Sequence, residues 1–241
     1  MNKMKYLSLI CIWVLFSCNE NKNATSEIVT KTNTIEFTNE VSLKTDSIEL
    51  SLDNDLVKND WVLVQLLEKK YSKDSILNAN YRFDFYRNDT LVKQAQIVLK
   101  DLFEENGEWY SKTGFTYEET PKHSSYLTIS NGYPACGYQH THFLFYTKNN
   151  AFDLVHQYTT FSDSGWGNYV EFIEKNENFI ISRTSSFEPD DDGNEDIGIE
   201  KLTDSIHFKL EKNKWVKTYI TPKDTIYSSR KIAFKTYHNM K

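Results

Sequence analysis

Alternation of apolar and polar residues with a period of two runs through most of the chain after Ser47. Ile48, Leu50 and Leu52 fall on one side of an extended segment, with Ser47, Glu49, Ser51 and Asp53 on the other. Tyr81, Phe83 and Phe85 alternate with Arg82, Asp84 and Tyr86, and Ile206, Phe208 and Leu210 alternate with His207, Lys209 and Glu211. Each is the pattern of a strand with one buried face. Residues 61–67 are apolar on every side, so a buried strand and a short helix running to Tyr71 fit them equally.

Turn chemistry punctuates these runs. Four times an alternating segment enters a short Lys/Arg-Asn turn: Arg87-Asn88-Asp89, Lys148-Asn149-Asn150, Lys175-Asn176-Glu177-Asn178 and Lys212-Asn213-Lys214. Asn tolerates the left-handed backbone that tight hairpins need, and the basic residue stays solvated. The turns are unevenly spaced, where a propeller blade or solenoid would keep one period. The expected fold is therefore mainly β: an antiparallel meander of hairpins closed as a sandwich or open barrel. An α+β arrangement with one short helix near residues 57–71 is the alternative.

The N-terminus follows a different rule. Met1-Asn2-Lys3-Met4-Lys5 precedes an apolar stretch over residues 6–16, the charged and hydrophobic regions of a secretory signal. That stretch is too short to span a hydrocarbon layer, which takes roughly 20 apolar residues. It ends in Leu15-Phe16-Ser17-Cys18, which resembles the lipobox of bacterial lipoproteins, although Phe16 stands where a small or branched residue is more usual. The resemblance covers residues 1–18 alone. It implies a signal peptide over 1–17, cleavage before Cys18, diacylglycerol on the Cys18 sulfur and an acylated amine. In that family an Asp just after the cysteine can hold the protein at the inner membrane. Asn19 stands there instead, which favours the outer membrane. Residues 18–46, polar and poor in large apolar side chains, read as the lipidated cysteine and a flexible tether, and 47–241 as a single β-rich domain.

Composition narrows the partners. The chain carries a formal charge of −6, and loss of Lys3 and Lys5 with the signal deepens it by two. Nucleic acid and anionic lipid are repelled by such a chain, so membrane attachment falls to the lipid at Cys18 and no nucleic-acid partner is expected. Aromatic residues make up 15% of the sequence, which suits strands and packed cores rather than disorder. Of three cysteines, Cys11 leaves with the signal and Cys18 is acylated, which leaves Cys136 with no disulfide partner.

Three stretches could carry chemistry. The glycine-rich segment 131–142 feeds a strand on which His140 and His142 share a face, and with His156 they could make an open zinc site. No HExxH helix supports that arrangement, and histidines hydrogen-bonded to their neighbours on a half-buried sheet explain the residues better. Residues 160–168 form a second glycine-rich stretch, in which Ser162-Asp163-Ser164-Gly165 lacks the framing of a nucleophile elbow and reads as a turn. The acidic run 188–196 places Glu188, Asp190, Asp192 and Asp196 at alternating loop positions with Gly193 at the sixth. That resembles the calcium loops of EF-hands and β repeats, which implies a calcium site. Glu188 replaces the usual Asp, and the bidentate glutamate is missing, since Ile199 stands at position 12. Otherwise the run is an acidic hairpin loop, and no other cofactor is expected.

Together these features describe a lipid-anchored cell-envelope protein that is a non-enzymatic binding or envelope-maintenance module. Its active surface is formed by the loops around 132–142 and 160–168, and its ligand is a protein or a glycan. A secreted metal-dependent hydrolase using the His140, His142 and His156 face is the alternative.

Overall fold

The computed structural model of the chain describes residues 26–28, 41–50, 60–73, 77–102, 107–115, 124–132, 137–190 and 196–240. Its first strand, β1 (Ser26–Ile28), lies inside the stretch expected to be a tether, and the boundary expected near Asp46 falls within β2 (Lys44–Glu49). There follow β3 (Trp61–Tyr71), β4 (Leu77–Arg87), β5 (Thr90–Leu102), β6 (Glu108–Thr113), β7 (Tyr126–Gly132) and β8 (Gly137–Tyr146). The second half comprises β9 (Asp153–Asp163), β10 (Trp166–Asn176), β11 (Phe179–Pro189), β12 (Ile197–Glu211), β13 (Lys214–Tyr219), β14 (Ser228–Ala233) and a short helix, α1 (Phe234–His238). The fold is mainly β, an antiparallel meander of hairpins in two sheets, neither of them closed into a barrel. Strands β2 to β5 make one sheet in chain order. Strands β6 to β13 make the other, with β1 added beyond β13 and β14 beside the first half of β12.

The Asn-bearing turns sit where the pattern places them. Asn88 and Asp89 (φ 47° and 59°), and Lys212 and Asn213 (49° and 61°), take left-handed backbone in two-residue turns whose twist matches that of the flanking strands. Asn149 does the same (57°) in a short 3-10 turn over Lys148–Asn150. Between β10 and β11 the Asn178 N–H donates to the Asn176 side chain at 2.9 Å.

The ambiguous stretch at 61–71 is a strand, so the helix alternative is corrected there. β-branched Val62 and Val64 are stiff residues that suit a pleated surface, and β2 and β4 pair with both edges of β3. In β4, Phe83 and Phe85 are fully buried as the alternation predicts, yet Arg82 and Asp84 on the other face are buried too. They satisfy each other: Arg82 Nε donates to Asp84 Oδ1 at 2.9 Å and Nη2 to Oδ2 at 3.2 Å. Gln65 donates to Asp84 and accepts from Arg82. A paired and fully hydrogen-bonded charge can be buried where a lone one cannot.

Two cores result, and β8 belongs to both. Phe143 and Phe145 join Leu127, Ile129 and Phe152 against Val62, Val64, Phe83, Phe85, Ile97 and Leu99 of the four-stranded sheet. Leu144 and Tyr146 point the opposite way, into a second core with Tyr126, Phe172, Ile180, Phe208 and Trp215. The second core exists because the ten-stranded sheet doubles over. Tyr146 and Tyr126 meet Trp215 edge-on and tilted at 5.3 and 6.0 Å, and His156 meets Phe208 at 4.8 Å. The fold-over lies between β9 and β10, which pair only at residues 161–163 with 166–168.

Candidate functional site

The expected histidine face is real. Residues opposite one another in antiparallel register share a face, and β7, β8 and β9 bring Ser130, His142 and Tyr158 into one row, with His156 beside Leu144 in the next. All three histidines therefore lie on the inner side of the doubled sheet. His140 and His142 meet edge-on at 5.8 Å, but His156 does not join them. Tyr158 stands between His142 (4.7 Å, 25° between planes) and His156 (5.6 Å, 24°), so His142, Tyr158 and His156 make a stacked ladder. Both nitrogens of His142 are engaged, Nδ1 with Ser130 Oγ at 2.7 Å and Nε2 with Thr160 Oγ1 at 2.9 Å. His140 Nδ1 meets the Tyr110 hydroxyl at 3.2 Å, and its ring lies over Gly132, where any side chain would collide with it. Burial pushes the His142 and His156 imidazoles down to about 3, with smaller contributions from His140 and Lys217 respectively. Held neutral to that extent, they are weak general bases at neutral pH. Among the described residues no group of three or more His, Cys, Asp or Glu side chains is placed to hold a metal ion.

The second glycine-rich stretch forms a cleft. Instead of a loop, residues 160–168 are the ends of β9 and β10 joined by Ser164 (φ 52°) and Gly165 (φ 89°), a two-residue turn. Beside it a cavity of about 510 Å³ is lined by Phe161, Asp163, Ser164, Trp166, Gly167, Asn168, Phe187, Glu188 and Pro189. Its floor is aromatic and held from behind. Trp166 stacks on Phe187 at 4.7 Å, Phe187 stacks on Tyr237 at 3.9 Å, and Phe234 meets the Trp166 ring edge-on at 4.9 Å. Phe161 at one wall is 43% exposed. The rim is polar: Ser164 Oγ–H donates to Asp163 Oδ1 at 3.0 Å, and Asn168 is exposed. Glu188 accepts from Lys201 and from Ser186 Oγ, and the Lys201 bond holds its carboxyl below the usual range.

The acidic run is only partly described. Glu188 ends in the cleft wall, paired with Lys201. Asp190 is buried, its carboxylate 2.7 Å from Lys231 Nζ and its N–H bonded to the Ile197 carbonyl. Asp196 follows at the turn into β12, with its carbonyl accepting the Phe234 N–H. Asp192 lies outside the described residues, as do Cys18 and Cys136. Lysines thus compensate two of the four expected calcium ligands. No helix among the described residues is long and apolar enough to cross a membrane.

Several contributors escape a reading of the strands alone. Phe187 and Pro189 reach the cleft from β11, and Gly198 of β12 makes room for it. There a methyl would stand 2.5 Å from both Trp166 Cζ3 and Phe187 Cζ. Helix α1 supplies Phe234, Tyr237 and His238. Their i, i+3, i+4 spacing is a helical signature that could have revealed a packing element after the last strand. No protein-family model, no curated protein and no solved structure matches this chain.

Proposed function

We propose that this chain is a lipid-anchored cell-envelope protein, held at the outer membrane through Cys18, and that it works as a non-enzymatic binding module. The ligand is received in the cleft at the β9–β10 turn. Leu15-Phe16-Ser17-Cys18 supports the anchor. The cleft carries the binding reading: a preformed concavity of about 510 Å³, with an aromatic floor and a few polar groups on its rim, has the size and make-up of small-ligand sites. Rings locked by their neighbours lose little entropy when a ligand arrives.

Two measurements test the reading. In a bacterium supplied with radiolabelled palmitate the wild type takes up label and Cys18→Ala does not. An unlabelled, soluble wild type overturns the anchor. For the cleft, tryptophan emission of the full chain is titrated with solubilised envelope fractions. The response is expected to shrink in Trp166→Phe and in Phe161→Ala, and an undiminished response in both would place the ligand elsewhere.

A further inference from the structure

We infer that the cleft at the β9–β10 turn takes a neutral carbohydrate, an inference that rests on the cleft being the binding site. Anionic ligands fit poorly: Asp163 and Glu188 line the cavity, and among the described residues no Lys, Arg or His does. On a chain with a formal charge of −6, phosphates, nucleotides and uronates meet repulsion, because Lys201 beside the cavity is already neutralised by Glu188. Cationic ligands are the competing class, since carboxylates beside an aromatic ring can hold an ammonium or guanidinium group. Glu188, however, already has its cation in Lys201. The remaining rim mixes acceptors with donors, because Asp163 and the Ser164 oxygen accept, the Ser164 hydrogen being engaged with Asp163, while the Asn168 amide both donates and accepts. A cation uses acceptors alone, whereas a sugar's hydroxyls use both kinds.

The floor supplies the other half of the recognition. A pyranose ring presents an apolar C–H face that lies well on a flat aromatic surface, and its equatorial hydroxyls reach outward to polar groups. Trp166 and Phe161 offer that surface, and three glycines keep it open. At Gly167 a methyl would sit far inside contact distance of the Phe161 carbonyl oxygen. At Gly165 it would stand 2.6 Å from Phe234 Cζ, and at Gly198 it would enter the Trp166 and Phe187 rings. Gly165 and Gly198 thus omit side chains that would strike a ring, and Gly167 omits one that would push the two paired strands apart. Behind it, Tyr169 O–H donates to the Gly165 carbonyl at 2.8 Å and fixes the turn.

The test is a binding screen of the full chain, purified in detergent, against two immobilised panels. One holds neutral oligosaccharides (gluco-, manno-, galacto-, xylo- and chito-series), and the other Lys- and Arg-bearing peptides. Binding is expected to at least one neutral sugar series and to change less than twofold between 50 and 500 mM salt, because no charge pairing is involved. Trp166→Ala and the milder Phe161→Ala, whose ring is outside the core, should each weaken it more than tenfold, while Asp163→Asn, which keeps one acceptor, weakens it only a few-fold. Salt-sensitive binding to the peptides alone, abolished by Asp163→Asn, would overturn the carbohydrate class and leave the cleft as the site. Sugar binding untouched by both aromatic variants would overturn the cleft itself. Binding to neither panel overturns the inference.

Discussion

Gly198→Ala is the most economical perturbation of the aromatic floor. Gly198 lies in β12 between Pro189 of β11 and Ile232 of β14, paired on both sides, so its backbone cannot swing aside. No left-handed conformation is involved, and as a strand residue alanine would be favoured over glycine by roughly 0.5–1 kcal/mol. Against that, the new methyl would stand 2.5 Å from Trp166 Cζ3 and from Phe187 Cζ. Neither ring can retreat easily. Phe187 is backed by Tyr237 at 3.9 Å, and Trp166 is held between Phe187 and Phe234. Forcing a methylene into such packing costs about 1–3 kcal/mol. The clash therefore outweighs the propensity gain over nearly the whole of these ranges, for a net loss of up to about 2.5 kcal/mol and about 1 kcal/mol at mid-range. In a chain of this size each kcal/mol moves the melting point by roughly 2–4 °C. The expected result is a melting temperature lower by roughly 2–4 °C at mid-range and by up to about 10 °C, with altered near-ultraviolet circular dichroism from displaced aromatic rings. Phe187→Leu removes the ring that the methyl strikes. The Gly198→Ala/Phe187→Leu pair should then be less destabilised than the two single losses added together. A Gly198→Ala protein melting at or above the wild type would show that the floor is loosely packed, and the preorganisation of the cleft would fall with it.

Other perturbations probe the rest of the fold. Arg82→Met leaves the Asp84 carboxylate buried without its partner and should cost about 3–5 kcal/mol in urea unfolding, most of it recovered in Arg82→Met/Asp84→Leu; equal stabilities for single and double variants would contradict this. His142 and His156 have folded values near 3, well below the unfolded range near 6.5. The unfolded chain therefore binds more protons between those limits, and the contribution present above pH 6.5 drains away as the pH falls towards 3. Unfolding free energy should drop more steeply from pH 7 to pH 4 in the wild type than in His142→Gln or His156→Gln, and parallel slopes would refute the burial argument. Because Lys201 and Lys231 already compensate Glu188 and Asp190, melts in millimolar calcium and in chelator are expected to coincide. A rise with calcium that Asp192→Ala abolishes would instead establish the ion site, and at a hundred times the dissociation constant it would amount to about 2.7 kcal/mol.

The strands and their turns were legible because both signals are local. Period-two burial at Phe83 and Phe85, or at Ile206 and Phe208, is written in adjacent residues, and an Asn at a left-handed turn carries its reason with it. The helix alternative at 61–71 arose because a segment apolar on all sides has no period to read, and pairing with β2 and β4 decided it. The histidines show the limit from the other direction. That His140 and His142 share a face follows from spacing, but the interposed Tyr158 follows from the register of β8 on β9, which no local pattern specifies. Arg82 and Asp84 were placed on a polar face for the same kind of reason. Their charge is visible in sequence, and the Gln65 that completes their hydrogen bonds comes from another strand.

The cleft was half legible, and the missing half explains why it forms where it does. The glycines and aromatics of 161–168 mark the place, but β9 and β10 share only three residue pairs there before the sheet doubles over. So short a ladder leaves the corner with few backbone hydrogen bonds of its own, and side-chain packing must hold it. The rings that do so come from β11 and from α1, at Phe187, Phe234 and Tyr237, far along the chain. The cleft lies over this short paired end, lined by Phe161, Asp163, Trp166 and Asn168 of the ladder and by Phe187 of β11. The aromatic packing that steadies the corner thus also makes the cleft floor, and the C-terminal helix backs that floor through Phe234 on Trp166 and Tyr237 on Phe187.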